Sequence, residues 1–379
     1  MTTLHYRALI PFLVCTVVSA GAIVALGAQS QGNATAVPRG PRATLAKAST
    51  IQLSGRVDSN SPAVWDSSGG RNLLRMFTSF AGWPSLAVGA DVQRLGAPRI
   101  VALTGFEGGG FWLEAVVTDV DGTLYGYFHN EQPADACAGS TKVVLRIVAA
   151  RSTDQGLTWE SLGPVVEAPR GTLECGTTNQ FLVGGVGDLS VMLDPDSRDL
   201  YIFYSEYLRM VSGQGVGVAR LLWADRDQPT GKVMIWRSGV WQPVRRFRAM
   251  QDDGTTVTRF LYPSATPLYP TTDSWHDDNS TTDAFWGPSV HWNTYLQQYV
   301  MLLNRAKNSR FDQEGVYVAY APELNDPSQW SQPEKIMSGG SWYPQVVGLE
   351  GGLGTDKVAG EKARLFLTGR SDYTIQFVK

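Results

Sequence analysis

The sequence has little charge and no excess of positive charge. Only 18% of its 379 residues are charged, and the formal net charge is −3. Because 43% of the residues are apolar, the chain can bury a large core and is not expected to be disordered. The lack of a basic excess argues against nucleic acid and anionic lipid as partners, and it favours a neutral or mildly polar ligand.

Cysteine is also scarce, with three in the chain. Cys15 lies in an apolar run over residues 8–28 that follows a basic start, and this pattern predicts either a cleaved signal peptide within residues 1–28 or an N-terminal anchor. Residues 29–48 are polar and predict a flexible linker. The protein is therefore expected to be secreted or periplasmic, with no membrane contact beyond such an anchor. In an oxidising compartment Cys137 and Cys175 would pair, although two unrelated buried thiols are the alternative.

Glycine, proline and aromatic residues are abundant, with 40 Gly, 20 Pro, 12 Trp, 14 Tyr and 14 Phe. This composition predicts many short strands and turns, and hence an all-β fold. Five segments of similar design recur after residue 50, each followed by a second strand-like run: "NSPAVWD" (60–66), "WLEAVVTD" (112–119), "DLSVMLDPD" (188–196), "WGPSVHWN" (286–293) and "WYPQVVGLE" (342–350). They predict a five-bladed β-propeller over residues 49–379.

The ring needs one more strand because the fifth unit ends early. The segment "STIQLSGRV" (49–57) has the pattern to supply it, so an N-terminal strand is expected to join the last blade. In that arrangement Ile51 and Leu53 would pair with residues 373–379.

The stretch "RSTDQGLTWESLG" (151–163) predicts a tight hairpin. Asp154 would accept hydrogen bonds from turn amides, Gly156 would adopt a positive φ, and Trp159 would close over the turn. The stretch resembles the Asp-box of sialidases and other propeller glycosidases. In a propeller it would lie on an outer hairpin, away from the ligand.

Two longer segments, "GDLSVMLDPDSRDLYIFYSEY" and "VYVAYAPELNDPSQWSQPEKI", resemble the five-bladed propeller glycosidases, a group that holds arabinanases, xylosidases and invertases. The resemblance implies that an acid/base carboxylate pair in a central pocket cleaves the glycosidic bonds of an oligo- or polysaccharide. It implies Asp58 as the base, although the family's Asp directly precedes Pro and here Pro62 comes four positions later. It implies Asp188 as the residue that tunes the acid and positions the sugar.

The acid is harder to assign because the family's Glu-Gly-Pro is replaced by Trp286-Gly287-Pro288. Glu131 and then Glu206 are the candidates, since both end second strands near aromatic groups that raise a carboxyl pKa.

Propeller topology gathers the starts of first strands and the ends of second strands around one pocket. Each of these residues also has a structural interpretation, such as a turn, a strand cap or channel packing. The expected substrate-binding residues are Asn60, Trp112, Glu114, His129, Asn130, Trp286, His291, Trp342 and Gln345. A Cys137–Cys175 disulfide would fasten the rim of this pocket.

No catalytic metal or other cofactor is expected. The acidic segment over residues 271–285 could hold a structural Ca²⁺, or it could be a solvated insertion. Two other functions stay open: a propeller that binds carbohydrate without cleaving it, and a six-bladed sialidase, which would need more Asp-boxes and three convergent arginines.

Overall fold

The computed structural model describes residues 40–66, 72–194, 196, 198–277 and 282–379. The expected signal peptide or anchor lies outside these residues, as does the linker up to residue 39. None of the helices within the described ranges is long and apolar enough to cross a membrane.

The fold is all-β. The described chain forms strands joined by turns, with 3-10 turns at Val211–Gly213, Trp223–Asp225 and Pro327–Gln329. The strands group into sheets that we number along the chain. The first sheet holds β2 (Ala63–Asp66), β3 (Leu73–Phe80), β4 (Trp83–Gly89) and β5 (Arg99–Ile100). The second holds β6 (Ala102–Thr104), β7 (Gly110–Thr118), β8 (Leu124–Pro133), β9 (Val143–Ser152) and β10 (Thr158–Val166).

The third sheet holds β11 (Leu182–Leu193), β12 (Asp199–Tyr207), β13 (Gln214–Leu222), β14 (Met234–Arg237) and β15 (Val240–Pro243), and a separate hairpin of β16 (Arg245–Met250) and β17 (Thr256–Leu261) follows it. The fourth holds β18 (Ala284–Asn293), β19 (Gln298–Ala306), β20 (Gln313–Ala321) and β21 (Glu334–Ser338), with β23 (Val358–Ala359) beside β18. The fifth holds β22 (Gln345–Gly348), β24 (Lys362–Leu367), β25 (Arg370–Val378) and β1 (Arg42–Gln52).

The first strands of the sheets pack side by side in chain order. Strand β7 contacts β2 and β11, and β18 contacts β11 and β22. Polar side chains on each sheet bond backbone groups of the next sheet, and the bonds run from the first sheet to the fifth and back to the first. They are Ser79 Oγ accepting from the Leu113 amide (2.9 Å), the Glu114 carboxyl from Leu189, Ser190 Oγ from Val290 (3.0 Å), Asn304 Oδ1 from Tyr343 (2.9 Å), and Gln345 Nε2 donating to the Ser61 carbonyl (2.8 Å).

Strand β1 pairs antiparallel with β25, at a register that differs from the expected one. Residues 42–47 pair with residues 373–378, whereas Ile51 lies opposite Ser371 and the Leu53 amide donates to the Gly369 carbonyl at 2.9 Å. The strand begins at Arg42, so residues 42–48, which the sequence assigned to the linker, belong to the sheet. This edge strand is mostly exposed, and its apolar alternation is limited to Ala43 and Leu45, which is too short to have revealed the strand.

The hairpin between β9 and β10 has the contacts expected of residues 151–163. Asp154 Oδ1 accepts hydrogen bonds from the Leu157 and Thr158 amides at 3.1 and 2.9 Å, and Gly156 has φ +89°. The Trp159 indole donates to the Gly156 carbonyl at 3.1 Å and packs edge-on against Phe77 of the first sheet. The hairpin therefore helps to hold the second sheet against the first.

Candidate active site

A pocket of about 130 Å³ lies where the first strands of the sheets begin. Its position agrees with the rule that strand starts and second-strand ends share one face. The side chains that line it and were expected from the sequence are Asp58, Trp112, Glu114, His129, Glu131, Asp188, Trp286 and Trp342. The others are Val143, Leu145, Phe181, Leu182, Phe311 and Tyr343.

β-bulges aim two of the acidic side chains at the pocket. The pairing register shifts around Glu114 in β7 and around Asp188 in β11, so each is the unpaired extra residue of its strand. In β18 the shift falls on Gly287 and Pro288. A bulge bends the strand and turns the side chain of the extra residue away from its regular direction. The same device within the three first strands β7, β11 and β18 thus brings residues far apart in sequence to one point.

Asp188 is held by two phenols. Its carboxylate accepts hydrogen bonds from the hydroxyl groups of Tyr207 and Tyr343, the latter at 3.2 Å. Asp188 and Tyr343 both have positive φ values, +43° and +54°. With only 5% of Asp188 exposed, these contacts fix the orientation of its carboxylate. An acceptor fixed in this way can position a sugar hydroxyl or a neighbouring acid.

His129 lies between Asp188 and Glu131. The Asp188 backbone amide donates to His129 Nδ1 at 2.9 Å, which places the proton of a neutral ring on Nε2, 3.7 Å from Glu131 Oε1. Burial lowers the pKa of His129, but the negative charges of Asp188, Glu131 and Glu114 outweigh it and raise the pKa to about 9. On protonation Nδ1 would exchange the amide for the Asp188 carboxylate oxygen, 3.6 Å away. The ring can therefore hold and release a proton beside two carboxyl groups.

The other carboxyl groups differ in burial, and burial raises the pKa of two of them, Glu114 and Asp58. Glu114 is 1% exposed, and burial together with the charge of Asp188 raises its pKa well above its ordinary value. Burial, followed by the charges of Asp188 and Glu131, also raises the pKa of Asp58. The Glu131 side chain is 37% exposed and faces the open part of the pocket. Such differences between neighbouring carboxyl groups are what acid/base chemistry uses.

The remaining wall of the pocket is aromatic. The rings of Trp286 and Tyr343 meet edge to face at 5.6 Å, and Trp286 meets Phe311 at 4.9 Å. The Trp342 indole donates to the Phe311 carbonyl at 2.8 Å. Sequence reasoning missed Phe181 and Phe311, which lie on loops without periodicity. It also missed Tyr207, which the strand-end rule would have found one residue beyond Glu206.

Two predicted site residues lie outside the pocket because of the strand pleat. Side chains alternate along a strand, so in β12 Ser205 and Tyr207 face the site while Glu206 faces the opposite side. Glu206 accepts a hydrogen bond from the Ala265 amide at 3.4 Å, and burial raises its pKa to about 8. Glu206 therefore does not line the pocket, and its role as the acid stays a prediction without support from its position. His291 is fully buried against Phe377, and burial followed by the charge of Lys357 lowers its pKa to about 3.

Three predicted substrate-binding amides are committed to backbone groups. Asn130 Nδ2 donates to the Gly110 carbonyl at 2.9 Å, and Asn130 Oδ1 accepts from Arg146 at 2.8 Å. Asn60 Nδ2 bonds carbonyls of the third and fourth sheets, and Gln345 bonds both backbone groups of Ser61. These side chains build the site but are not among the residues that line the pocket.

Three of the buried groups lie close enough together to hold a metal ion. Polar atoms of Glu114, His129 and Asp188 lie within 4.8 Å of one another. However, each group already accepts hydrogen bonds, from the Leu189 amide, the Asp188 amide and two tyrosine hydroxyls respectively. These donors join the three groups in one hydrogen-bonded network.

The acidic segment over residues 271–285 is only partly described, because residues 278–281 lie outside the structure's described ranges. Within it, the Asp283 carboxylate pairs with Arg305 at 2.6 Å, and Thr271 Oγ1 donates to the Asp273 and Asp283 carbonyls. The arginine neutralises one of the oxygen ligands that Ca²⁺ would use. A structural Ca²⁺ here stays a prediction.

Cys137 and Cys175 form a disulfide with their Cα atoms 5.2 Å apart. It joins the loop that leads into Val143 to the loop that leads into Phe181, two residues of the pocket wall. The bond therefore holds together two loops that enter the rim of the site.

Comparison with known protein families finds no match, and comparison with curated proteins finds none either. Among solved structures, the chain is similar to a thermostable family-43 glycoside hydrolase, with 14% identity, 86% of this chain and 91% of that chain covered, and a TM-score of 0.48. It is similar to an endo-arabinase from Bacteroides thetaiotaomicron, with 12% identity, 87% and 96% coverage, and a TM-score of 0.48. It is also similar to a Bacillus subtilis arabinanase, with 11% identity, 86% and 96% coverage, and a TM-score of 0.44. These likenesses are weak, and the fold and site described above rest on contacts within this chain.

Proposed function

We propose that the protein is an exported glycoside hydrolase that cleaves carbohydrate in its central pocket. One observation carries the proposal: Asp58, Glu131 and Asp188, which lie before the first sheet, in the second and in the third, line a single pocket with aromatic walls. A pair of carboxyl groups is what hydrolysis of a glycosidic bond requires, and aromatic rings suit the apolar faces of a sugar.

The proposed chemistry uses three carboxyl groups in different roles. Glu131 gives its proton to the glycosidic oxygen as the bond from that oxygen to the anomeric carbon breaks. Asp58 removes a proton from the water that adds to the carbon, or attacks the carbon before water does. Asp188, fixed by its two tyrosines, positions the sugar, and Glu114 lines the pocket as a further buried carboxyl whose pKa is raised by burial. His129 can return a proton to Glu131.

The proposal includes a five-bladed propeller in which the five sheets are the blades and β1 completes the fifth. The pairing of β1 with β25 and the bonds of Gln345 to Ser61 support a closed ring. Export is inferred from the apolar run over residues 8–28.

The rival functions differ in what the pocket should contain. A sialidase needs arginines that bind the sugar carboxylate, and the described lining of this pocket includes neither Arg nor Lys. A propeller that binds carbohydrate without cleaving it would use the same walls and would leave the carboxyl pair without a role.

The test is hydrolysis of a panel of aryl pentosides and hexosides by the protein and two variants. Asp58→Asn and Glu131→Gln should each lower kcat by about 10²–10⁴-fold, the usual contribution of a general acid or base. Glu206→Gln is the matched control, since it changes a buried carboxyl outside the pocket and should keep the parent rate. Full activity in Asp58→Asn or Glu131→Gln would refute the role of that residue. Binding of a sugar without turnover in the parent protein would favour the non-catalytic alternative.

A further inference from the structure

We propose that the pocket is a blind site for a single terminal sugar residue, so that the protein removes residues one at a time from chain ends. This inference rests on the proposed function and names the part of the substrate that the site accepts. It is carried by the floor of the pocket, its wall and its size.

The floor is closed by an amide that crosses the centre of the molecule. Asn60 precedes the first sheet and is 3% exposed, and its Nδ2 donates to the Leu189 carbonyl of β11 at 3.0 Å and to the Pro288 carbonyl of β18 at 3.3 Å. Leu189 directly follows Asp188, so this bridge lies next to the pocket. A polysaccharide cannot thread past a side chain that bonds both opposite strands.

The wall is continuous over the second, third and fourth sheets. Strands β9 and β11 pair in parallel, with Leu182 opposite Val143, and this pairing fills the gap between two sheets. Phe181 follows the disulfide loop and its ring contacts Phe311 at 5.9 Å. The Trp342 indole binds the Phe311 carbonyl, which carries the wall to the fifth sheet. We call Phe181, Phe311 and Trp342 the aromatic rim.

The opposite side of the pocket carries Asp58 and the half-exposed Glu131. The cavity of about 130 Å³ is well below the roughly 300 Å³ at the small end of sites for drug-sized ligands. The cavity has no room for more than one sugar ring, so the rest of the chain would leave past Glu131. That places the glycosidic oxygen beside the group proposed to protonate it.

The test uses pentasaccharides of arabinose, xylose and galactose, labelled at the reducing end, together with the corresponding polymers. The expected early products are free monosaccharide and labelled tetrasaccharide, with little loss of polymer viscosity. Early labelled di- or trisaccharide with a rapid fall in viscosity would overturn the inference while leaving hydrolysis intact.

Absence of cleavage would count against the proposed function, and binding then decides the inference separately. The Asp58→Asn protein would be titrated with monosaccharide and trisaccharide of each sugar by tryptophan fluorescence, since Trp112, Trp286 and Trp342 line the pocket. A single-residue site predicts affinities that differ by less than about tenfold, or about 1.4 kcal/mol. A larger gain in affinity from monosaccharide to trisaccharide, or no binding of either sugar, would overturn the single-residue site.

Phe181→Ala tests the wall directly. Phe181 is 49% exposed and should tolerate truncation, and its loss opens the rim so that labelled trisaccharide should become an early product. Trp83→Ala is the matched control, because it removes an aromatic side chain that is 63% exposed and does not line the pocket. Identical products from Phe181→Ala and Trp83→Ala would contradict the aromatic rim as the barrier.

Discussion

Asp188 shows how a single position can be shaped by its surroundings. Its φ of +43° lies in the left-handed region, where a non-glycine residue costs about 1–2 kcal/mol. The hydroxyls of Tyr207 and Tyr343, together with the contact of its amide to His129, hold the residue there. Backbone strain and polar contacts thus coincide at the centre of the candidate site, which is where such strain is commonly found.

Glu206, in contrast to Asp188, is a buried carboxyl that lies outside the pocket. Its folded-state pKa of about 8 exceeds the ordinary 4.5, so the folded protein keeps a proton that the unfolded chain loses. Stability is therefore undiminished below about pH 4.5 and falls as the pH rises towards 8, by a few kcal/mol and at most about 5 kcal/mol. Glu206→Gln lacks this titration.

We expect the stability of the parent to fall relative to that of Glu206→Gln as the pH rises from 5 to 8, so the difference between their free energies of unfolding should shift in favour of the variant. Urea unfolding at pH 5, 6.5 and 8 measures the difference. Two parallel stability curves would contradict the burial of an ionisable carboxyl at this position.

At the scale of the element, the bulges depend on how two strands pair, whereas the β9–β10 hairpin depends on contacts within its own turn. A bulge displaces one residue of a strand, which is how Glu114 and Asp188 reach the pocket. The hairpin depends on the local bonds of Asp154 and on Gly156, whose added Cβ would lie 2.5 Å from the Phe77 ring. The hairpin could be predicted from its own residues because the hydrogen bonds that Asp154 accepts within the turn are local.

Replacing Gly156 by Ala should destabilise the protein more than Gly122→Ala, its matched control. Both glycines have φ near +90°, but a Cβ at Gly122 would have nothing within 4 Å. We expect about 1–2 kcal/mol for Gly122→Ala from backbone strain and about 1–3 kcal/mol more for Gly156→Ala from overpacking. Denaturant unfolding measures both losses in stability. Equal losses would show that the Phe77 ring moves aside at no energetic cost.

At the scale of the whole molecule, the first and last strands share one sheet. Ile51 and Leu53 are 7% and 3% exposed, and the buried guanidinium of Arg364 donates to the Ser49 carbonyl at 2.6 Å. Strand β1 therefore covers the edge of β25 and adds apolar area to the core. Without β1, that edge would be free to pair with another chain.

Deleting residues 1–55 should cost roughly 3–6 kcal/mol, since two large apolar side chains lose their burial. It should also cause association that light scattering detects. Deleting residues 1–39, which leaves β1 intact, is the control. This variant should unfold at the same denaturant midpoint as the full chain. Equal stability of the two truncated proteins would show that β1 is dispensable.

The sequence by itself determined the all-β class and the β9–β10 hairpin, because alternation and turn chemistry are read from neighbouring residues, while strand position together with the family resemblance pointed to Asp58, Glu131 and Asp188. Only the tertiary structure decided that Glu206 and His291 face away, that Phe181 and Phe311 form part of the wall, and that β1 starts at Arg42. The physical reason is that a bulge or pleat changes a side chain's direction by one residue, while loops and exposed edge strands carry no period. Their positions follow from packing between distant segments, which no local pattern records.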